Sequence, residues 1–194
     1  MYIVCLQTVK KNIMEKKKHI RVLYNVVGIA VFLILILIDQ MSKRAAVVHL
    51  KDQEPFVLVR NVFQLQYLEN RGAAFGILQG QKGVFIVITV IILAAVIYIY
   101  ARMPVTRKFM VMRILIVLIG AGAVGNFIDR IRQGYVVDFF YFSAINFPIF
   151  NVADIYVTCA AVLLILTVLF YYKDQDLKEL GHSLKFGVDH AGRK

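Results

Sequence analysis

Charged residues are scarce in this chain of 194 residues, since only 18% are Asp, Glu, Lys or Arg, against about 25% in soluble proteins. It has no tryptophan, three prolines and two cysteines. Two cysteines are too few for a disulfide framework or a zinc site. The hydrophobic fraction is 60%, which excludes a disordered chain and exceeds what one soluble core of this length can bury. The surplus predicts a membrane protein.

Residues with common catalytic or metal-binding roles are equally few. The four histidines are scattered and show no H-E-x-x-H or other ligand spacing, so we expect no metal and no cofactor. Ser42 and Lys43 are adjacent on a predicted helix and therefore do not face each other. This disfavours a catalytic serine/lysine pair and favours a helix-end cap, or a lysine that extends to the lipid headgroups.

Four charge-poor stretches approach the roughly 20 residues that a bilayer requires. They are apolar on all sides, which argues against amphipathic surface helices. The third qualifies if Arg113 extends its charge to the headgroups. The first follows a basic segment, but 39–43 is no small-residue cleavage site, so we expect a retained anchor. Met14 is an alternative start, and we expect little function upstream of it. The predicted spans are 22–38, 83–101, 109–128 and 155–172.

The net charge is +11, and the basic residues are concentrated in particular segments between the spans and at the two ends of the chain. Most Lys and Arg residues lie before residue 22, between 102 and 113, and after 172. The positive-inside rule then places 1–21 and the polar tail 173–194 in the cytoplasm, with loops 39–82 and 129–154 outside. Because topology and contact with membrane lipids account for the charge, we expect no nucleic-acid partner. We expect a monomer embedded in a membrane.

The first outer loop has strand character. Phe56–Val59 and the alternating run 63–67 are rich in β-branched and aromatic residues, which predicts short strands. The fold class is therefore an all-α membrane protein of four transmembrane helices, with a small extracytoplasmic β-sheet between helices 1 and 2. The tail after Tyr172 is expected to be a solvated extension.

The three glycines at 120, 122 and 125 match the G-x-G-x-x-G dinucleotide pattern. They lie inside an apolar helix rather than between a strand and a helix, so the dinucleotide interpretation fails on context. Small residues there predict a face of the third span that another backbone can approach closely.

Four aspartates, Asp39, Asp129, Asp138 and Asp154, fall at the outer ends of the spans. Each has a structural explanation as a cap or ion-pair partner, and Asp154 stands where an N-cap belongs. Four carboxylates at one membrane depth nevertheless favour function. Two that lie close together share one proton, as in aspartic proteases. Arg130 follows Asp129 and favours an ionised structural role for it, so we select Asp138 with Asp154, and keep Asp129 with Asp154 as the alternative.

Four motifs in order resemble the bacterial lipoprotein (type II) signal peptidases over roughly 22–172. They are Asp39-Gln40-x-x-Lys43, Asn70-x-Gly72-Ala73-Ala74-Phe75, Gly125-Asn126-x-Ile128-Asp129-Arg130 running on to Val136-Val137-Asp138-Phe139, and Phe150-Asn151-x-Ala153-Asp154.

The resemblance implies an aspartyl endopeptidase of the bacterial cytoplasmic (inner) membrane. It removes signal peptides from diacylglyceryl-modified prolipoproteins, cutting before the lipidated cysteine. The resemblance implies further that Asp138 and Asp154 are catalytic. It also implies that a further set of residues binds substrate or supports the site: Asp39, Lys43, Asn70, Gly72, Asn126, Asp129, Arg130, Asn151 and Ala153. A small proton-coupled transporter is the alternative function, and it predicts acidic residues near mid-span, where this sequence has none. A third possibility, a structural assembly factor of four helices, requires no carboxylates at the interface.

Overall fold

A computed structural model describes residues 2–72 and 81–186. Most of these described residues are helical, and they include three strands and two short 3-10 turns, at Arg107–Phe109 and Ser143–Ile145. In chain order the elements are α1 (Tyr2–Leu50), β1 (Phe56–Val59), β2 (Phe63–Asn70), α2 (Lys82–Arg102), α3 (Met110–Arg132), β3 (Val136–Tyr141), α4 (Val152–Phe170) and α5 (Asp174–Phe186).

Within the part of the chain that the structure describes, four helices are long and apolar enough to cross a membrane: Met14–Leu50, Gly83–Arg102, Arg107–Arg132 and Val152–Phe170. The third is the central one. Of its most apolar 18 residues, 44% are buried, whereas the buried share in each of the other three helices is 11% or less. It packs against α1, α2 and α4. The outer helices leave large apolar side chains exposed, as expected of surfaces that face lipid. The predicted membrane fold with a small sheet is confirmed.

The first helix is longer than the predicted span. It continues past residue 38 to Leu50, about 18 Å further at 1.5 Å per residue. The prediction stopped at Asp39 because a charge usually ends an apolar run. In the structure Asp39 pairs with Lys43 one turn later, at 3.0 Å, so the two charges compensate each other and the helix continues.

The sheet has three antiparallel strands in the order β1-β2-β3. Its first two strands match the predicted ones, but β3 comes from between α3 and α4 and was not predicted as a strand. Val137 and Phe139 of β3 pack with Ala46 near the end of α1. In the antiparallel pairing of β2 with β3, Leu68 lies opposite Asp138. The sheet is therefore attached to the bundle at the same end as the four aspartates.

The small-residue face predicted on the third span is confirmed. A Cβ added at Gly122 would meet the backbone oxygen of Ala153, and one added at Gly125 would meet the Asp39 carboxylate. Both neighbours are too close for a side chain larger than hydrogen. These glycines let α1 and α4 approach α3 at the level of the aspartates.

The opposite end of the bundle differs from the prediction in two respects. The tail contains α5, whose Leu177 and Leu180 pack on a core cluster that includes Phe109 and Tyr172. Arg113 is buried within the bundle rather than extended to the headgroups, and it donates to Asn25 Oδ1 at 2.7 Å. Helical spacing in α5 turns its leucines to one side, and for that reason a polar segment docks instead of extending into solvent.

Candidate active site

The start of α4 positions Asp154. Asn151 is the N-cap and accepts from the Asp154 backbone N–H at 3.0 Å, while the Asp154 carboxylate accepts from the Asn151 N–H at 3.2 Å. This reciprocal arrangement is a capping box. The prediction that Asp154 is the N-cap is wrong, because it lies three residues inside the helix. Its second carboxylate oxygen, Oδ1, is directed to another partner.

Asp138 lies in the middle of β3 and is 1% exposed. Its carboxylate accepts from Asn151 Nδ2 at 2.6 Å and from Asn70 Nδ2 at 2.8 Å. Burial, followed by the negative charge of Asp154, raises the pKa of Asp138 to about 7, and the two asparagine hydrogen bonds oppose that rise only in part. Asp138 therefore holds a proton far more readily than an exposed aspartate does.

Asn126 of α3 connects the two carboxylates. Its Nδ2 donates to Asp154 Oδ1 at 2.8 Å, and its Oδ1 accepts from Asn151 Nδ2 at 3.2 Å. Asn151 in turn donates to Asp138. Two asparagines thus join Asp138 and Asp154 in one continuous network.

Lys43 belongs to a separate group, the buried ion triad of Asp39, Lys43 and Asp129. The ammonium lies 3.0 Å from each of the two carboxylates. Asp39 also accepts from the Ala153 N–H at 2.9 Å, and Asp129 from the Val137 N–H at 3.3 Å. Through these bonds the triad ties α1 to α3, α4 and β3.

The triad corrects two predictions. Asp129 is ion-paired, but its partner is Lys43 and not the neighbouring Arg130. Lys43 neither caps a helix end nor extends to headgroups, since only 4% of its side chain is exposed. Lys43 also donates to Asn126 Oδ1 at 2.8 Å, so it touches the network of the catalytic candidates through one asparagine.

Arg130 and Gly72 lie at the edge of the site, on the side that faces α2. The guanidinium donates to the Gly72 carbonyl at 3.3 Å and stacks on Phe85, 4.6 Å from the ring centroid. The Gly72 N–H donates to Asn70 Oδ1 at 3.0 Å, which turns the Asn70 amide NH₂ towards Asp138. The rest of that motif, Ala73–Ala74–Phe75, lies outside the described residues.

A cavity of about 870 Å³ opens beside the network. Asp138 and Asp154 both line it, whereas Asp39, Lys43 and Asp129 do not. The described residues contain no group of three or more His, Cys, Asp or Glu side chains that could hold a metal ion. Of the predicted site residues, the wall includes Asn70, Gly72, Asn126, Arg130, Asp138 and Asp154.

Comparison with known proteins gives consistent matches. A family model described as signal peptidase (SPase) II matches residues 31–170. The lipoprotein signal peptidase of Clostridioides difficile (strain 630) is 43% identical over 144 residues, which are 74% of this chain and 95% of the relative. That of Halothermothrix orenii is 46% identical over 136 residues, 70% of this chain and 90% of the relative. The chain belongs to the signal peptidase II family.

Solved structures agree with this assignment. A bacterial membrane enzyme determined at 2.3 Å superposes with a TM-score of 0.67 at 33% identity, covering 76% of this chain and 92% of the other. The signal peptidase II match contains every residue of the asparagine network and the ion triad, and it ends before α5.

Two contributors were missed as site residues. Gln40 was quoted only as part of a motif, yet its Nε2 donates to Asp39 at 3.2 Å and to Asp129 at 3.1 Å. Its place beside Asp39 in that motif was a usable signal. For Phe85 the sequence contained no such signal. One more aromatic residue in an apolar span does not indicate that an arginine of another helix stacks on it.

Proposed function

We propose that this chain is an aspartic endopeptidase that removes signal peptides from diacylglyceryl-modified prolipoproteins by cutting before the lipidated cysteine. Asp138 and Asp154 are the catalytic pair. The observation that carries the proposal is their convergence on one cavity through Asn126 and Asn151. Asp129, the alternative partner of Asp154, is ion-paired with Lys43 and lies outside the cavity wall. No feature of the described residues favours a transporter.

The chemistry needs one proton on the pair. The ionised carboxylate draws a proton from water, and the protonated one donates to the carbonyl of the scissile peptide bond. The roles reverse when the leaving amine takes its proton. The pair titrates as a unit, and the raised pKa of Asp138 keeps the shared proton available near neutral pH.

Each catalytic oxygen is held by a donor. Asn70 and Asn151 bind the two oxygens of Asp138, while Asn126 and the Asn151 N–H bind those of Asp154. Side chains fixed in this way lose little freedom in the transition state. We propose that these asparagines position the pair, and that Arg130 and Gly72 bind the substrate backbone at the edge of the site.

The cavity suits a lipidated substrate because it has an apolar side. Beyond Asp154 its wall follows α4 through Ile155, Thr158 and Cys159. These residues share one face of a helix that is long and apolar enough to cross a membrane. An apolar signal peptide and its acyl chains can reach the catalytic pair along this face without entering water. Residues 22–172 form the peptidase domain, with both termini cytoplasmic and the catalytic pair at the outer membrane surface.

The proposal is tested by cleavage of a matched substrate pair. Purified protein in lipid nanodiscs is given a prolipoprotein peptide with a diacylglyceryl-modified cysteine, and the same peptide without the lipid. We expect a cut immediately before the modified cysteine, identified by mass spectrometry, and slow or no cutting of the unmodified peptide. Equal cutting of both peptides, or none of either, would contradict the proposal.

The rate is expected to fall as the pH rises through about 7. Above that value Asp138, whose pKa is raised to about 7 by burial and by the charge of Asp154, loses the proton that the mechanism needs. In Asn70→Ala the ionised form loses a hydrogen bond, so the pKa of Asp138 rises further and the alkaline limb moves to higher pH. The measurement is kcat/KM from pH 5 to 9. A flat profile, or a limb that Asn70→Ala leaves in place, argues against Asp138 as the proton carrier.

A further inference from the structure

The cavity has a second arm, which follows the sheet away from the catalytic pair. Its wall there includes Gln66 of β2, Tyr141 of β3 and Asn146 in the loop that follows. Tyr141 lies three residues beyond Asp138, about 10 Å along an extended strand. Gln66, Tyr141 and Asn146 give this sheet arm polar side chains, which lie beside the apolar Phe147 and Ile149 of the same loop.

A β-bulge directs Gln66 to this arm. The register of β2 against β3 shifts between Leu65 and Leu68, so that two residues of β2 oppose a single residue of β3. Bulges commonly redirect a side chain next to an active site. Asn146 has a comparable local cause: its backbone is left-handed, with φ 48° and ψ 42°, a conformation that asparagine accepts more readily than most residues do.

The two carboxamides have the same hydrogen-bonding state. Gln64 Nε2 donates to Gln66 Oε1 at 3.3 Å, and Tyr141 Oη donates to Asn146 Oδ1 at 2.7 Å. Each amide oxygen is thus engaged, and each orientation is set by a neighbour. What Gln66 and Asn146 offer the cavity is their NH₂ groups, which are donors only.

We propose that Gln66 and Asn146 form a subsite for the carbonyl groups of the first residues after the lipidated cysteine. This rests on the proposed function. An extended peptide places a carbonyl acceptor at every residue, and about three residues span the distance from Asp138 to Tyr141. The position of the two arms sets the direction. The arm along α4 follows a helix that is able to cross a membrane and takes the apolar signal peptide, whereas the arm along the sheet lies outside the spans and takes the mature chain. Donors to backbone carbonyls are indifferent to side chains, which suits an enzyme with many substrates.

Isosteric variants test the donors. Gln66→Glu and Asn146→Asp keep the accepting oxygen and the size of the side chain, but exchange the NH₂ donor for an acceptor and add a negative charge, so the control must add the same charge elsewhere. Asn61→Asp is the matched control: Asn61 also has a left-handed backbone, with φ 59°, and it lies outside this cavity wall. The substrates are a lipidated peptide with six residues after the cysteine, and one that ends at the cysteine as an amide.

For the long substrate we expect either variant to raise KM about 5- to 10-fold with kcat within twofold, since roughly one hydrogen bond is lost. The short substrate and the Asn61→Asp control should show no change. An equal effect on both substrates indicates a general structural disturbance and overturns the subsite, as does no effect on either.

Failure of the subsite is separable from failure of the proposed function. If the parent protein cuts neither lipidated peptide, the proposed function is wrong. Binding of the fluorescently labelled long peptide to the same nanodiscs then decides the subsite alone. Weaker binding by Gln66→Glu and Asn146→Asp supports the subsite, and unchanged binding refutes it.

Discussion

An Asp138→Asn variant is expected to fold and enter the membrane, yet to cut lipidated prolipoprotein about 100- to 10,000-fold more slowly, the usual contribution of a general acid or base. Asp154→Asn should lose as much. The double variant should be no slower than either single one, because residues that act as a unit are not additive. The measurement is kcat for one diacylglyceryl-modified peptide, with folding checked by circular dichroism.

The exchange at Asp138 has a foreseeable structural cost. Asn70 and Asn151 both donate to this side chain, and their orientations are set by the Gly72 N–H and the Asp154 N–H. An asparagine at 138 must turn its NH₂ towards one of these donors, and an unmatched buried donor costs about 1–3 kcal/mol. A modest drop in melting temperature is thus expected alongside the loss of rate. A drop without loss of rate would refute the catalytic role.

Asp129→Asn distinguishes the two candidate pairs. Asp129 lies in the ion triad and outside the cavity wall, so the variant should melt earlier and still retain activity. Asp174→Asn, at the exposed start of α5, should change neither property. If Asp129→Asn were folded and inactive while Asp138→Asn remained active, the pair Asp129–Asp154 would be correct.

Removal of the Lys43 ammonium is expected to have the largest effect on stability. Lys43→Met leaves Asp39 and Asp129 as two uncompensated carboxylates that are 0% and 6% exposed. Breaking a buried ion pair from one side typically costs about 3–5 kcal/mol, a large part of the stability of most domains. Lys43→Met is therefore expected to melt far below the parent protein. The measurement is thermal unfolding in detergent, followed by circular dichroism because the chain has no tryptophan.

A triple variant shows whether charge is the cause. Lys43→Met combined with Asp39→Asn and Asp129→Asn removes all three charges, and we expect it to recover part of the lost stability. Lys51→Met is the matched control, because the pair of Lys51 with Glu69 is at the surface, where 41% of the lysine side chain is exposed. That control should melt close to the parent. A triple variant less stable than Lys43→Met would contradict the electrostatic explanation.

Activity gives the triad a second test. Lys43 donates to Asn126 Oδ1, and this bond directs the Asn126 NH₂ to Asp154. Even where stability returns, the triple variant loses one of the two donors to Asn126 Oδ1 and keeps only Asn151 Nδ2, at 3.2 Å. We expect it to cut more slowly than its recovered fold alone would suggest.

Much of the membrane fold was predictable because the bilayer constrains composition so strongly. A helix of about 20 apolar residues has no other suitable environment, so four spans could be recognised in the sequence. Strands β1 and β2 were legible through their alternation. β3 was not, because 136–141 contains a charged residue in a short apolar run and pairs with a strand more than 60 residues earlier. No local pattern encodes such a pairing.

The tail is a second case in which local sequence does not predict a long-range contact. Its polar composition predicted a solvated extension, whereas Tyr98 Oη and the Arg102 guanidinium both bind the Leu184 carbonyl, and Lys108 pairs with Asp176. Each partner lies on or next to another span. Docking of this kind depends on where the ends of the helices meet, which a window of sequence does not contain.

The sequence by itself determined that the chain spans a membrane, that four of its eight aspartates lie at one end of the spans, and that its motifs are those of a signal peptidase II. Only the tertiary structure decided what each polar residue does there. Asp39 and Asp129 are equal to Asp138 and Asp154 in residue type and depth, but the first two surround a lysine and the last two line a cavity. The reason is physical: an aspartate is structural or reactive according to the charge and space around it, and those are set by contacts between distant segments.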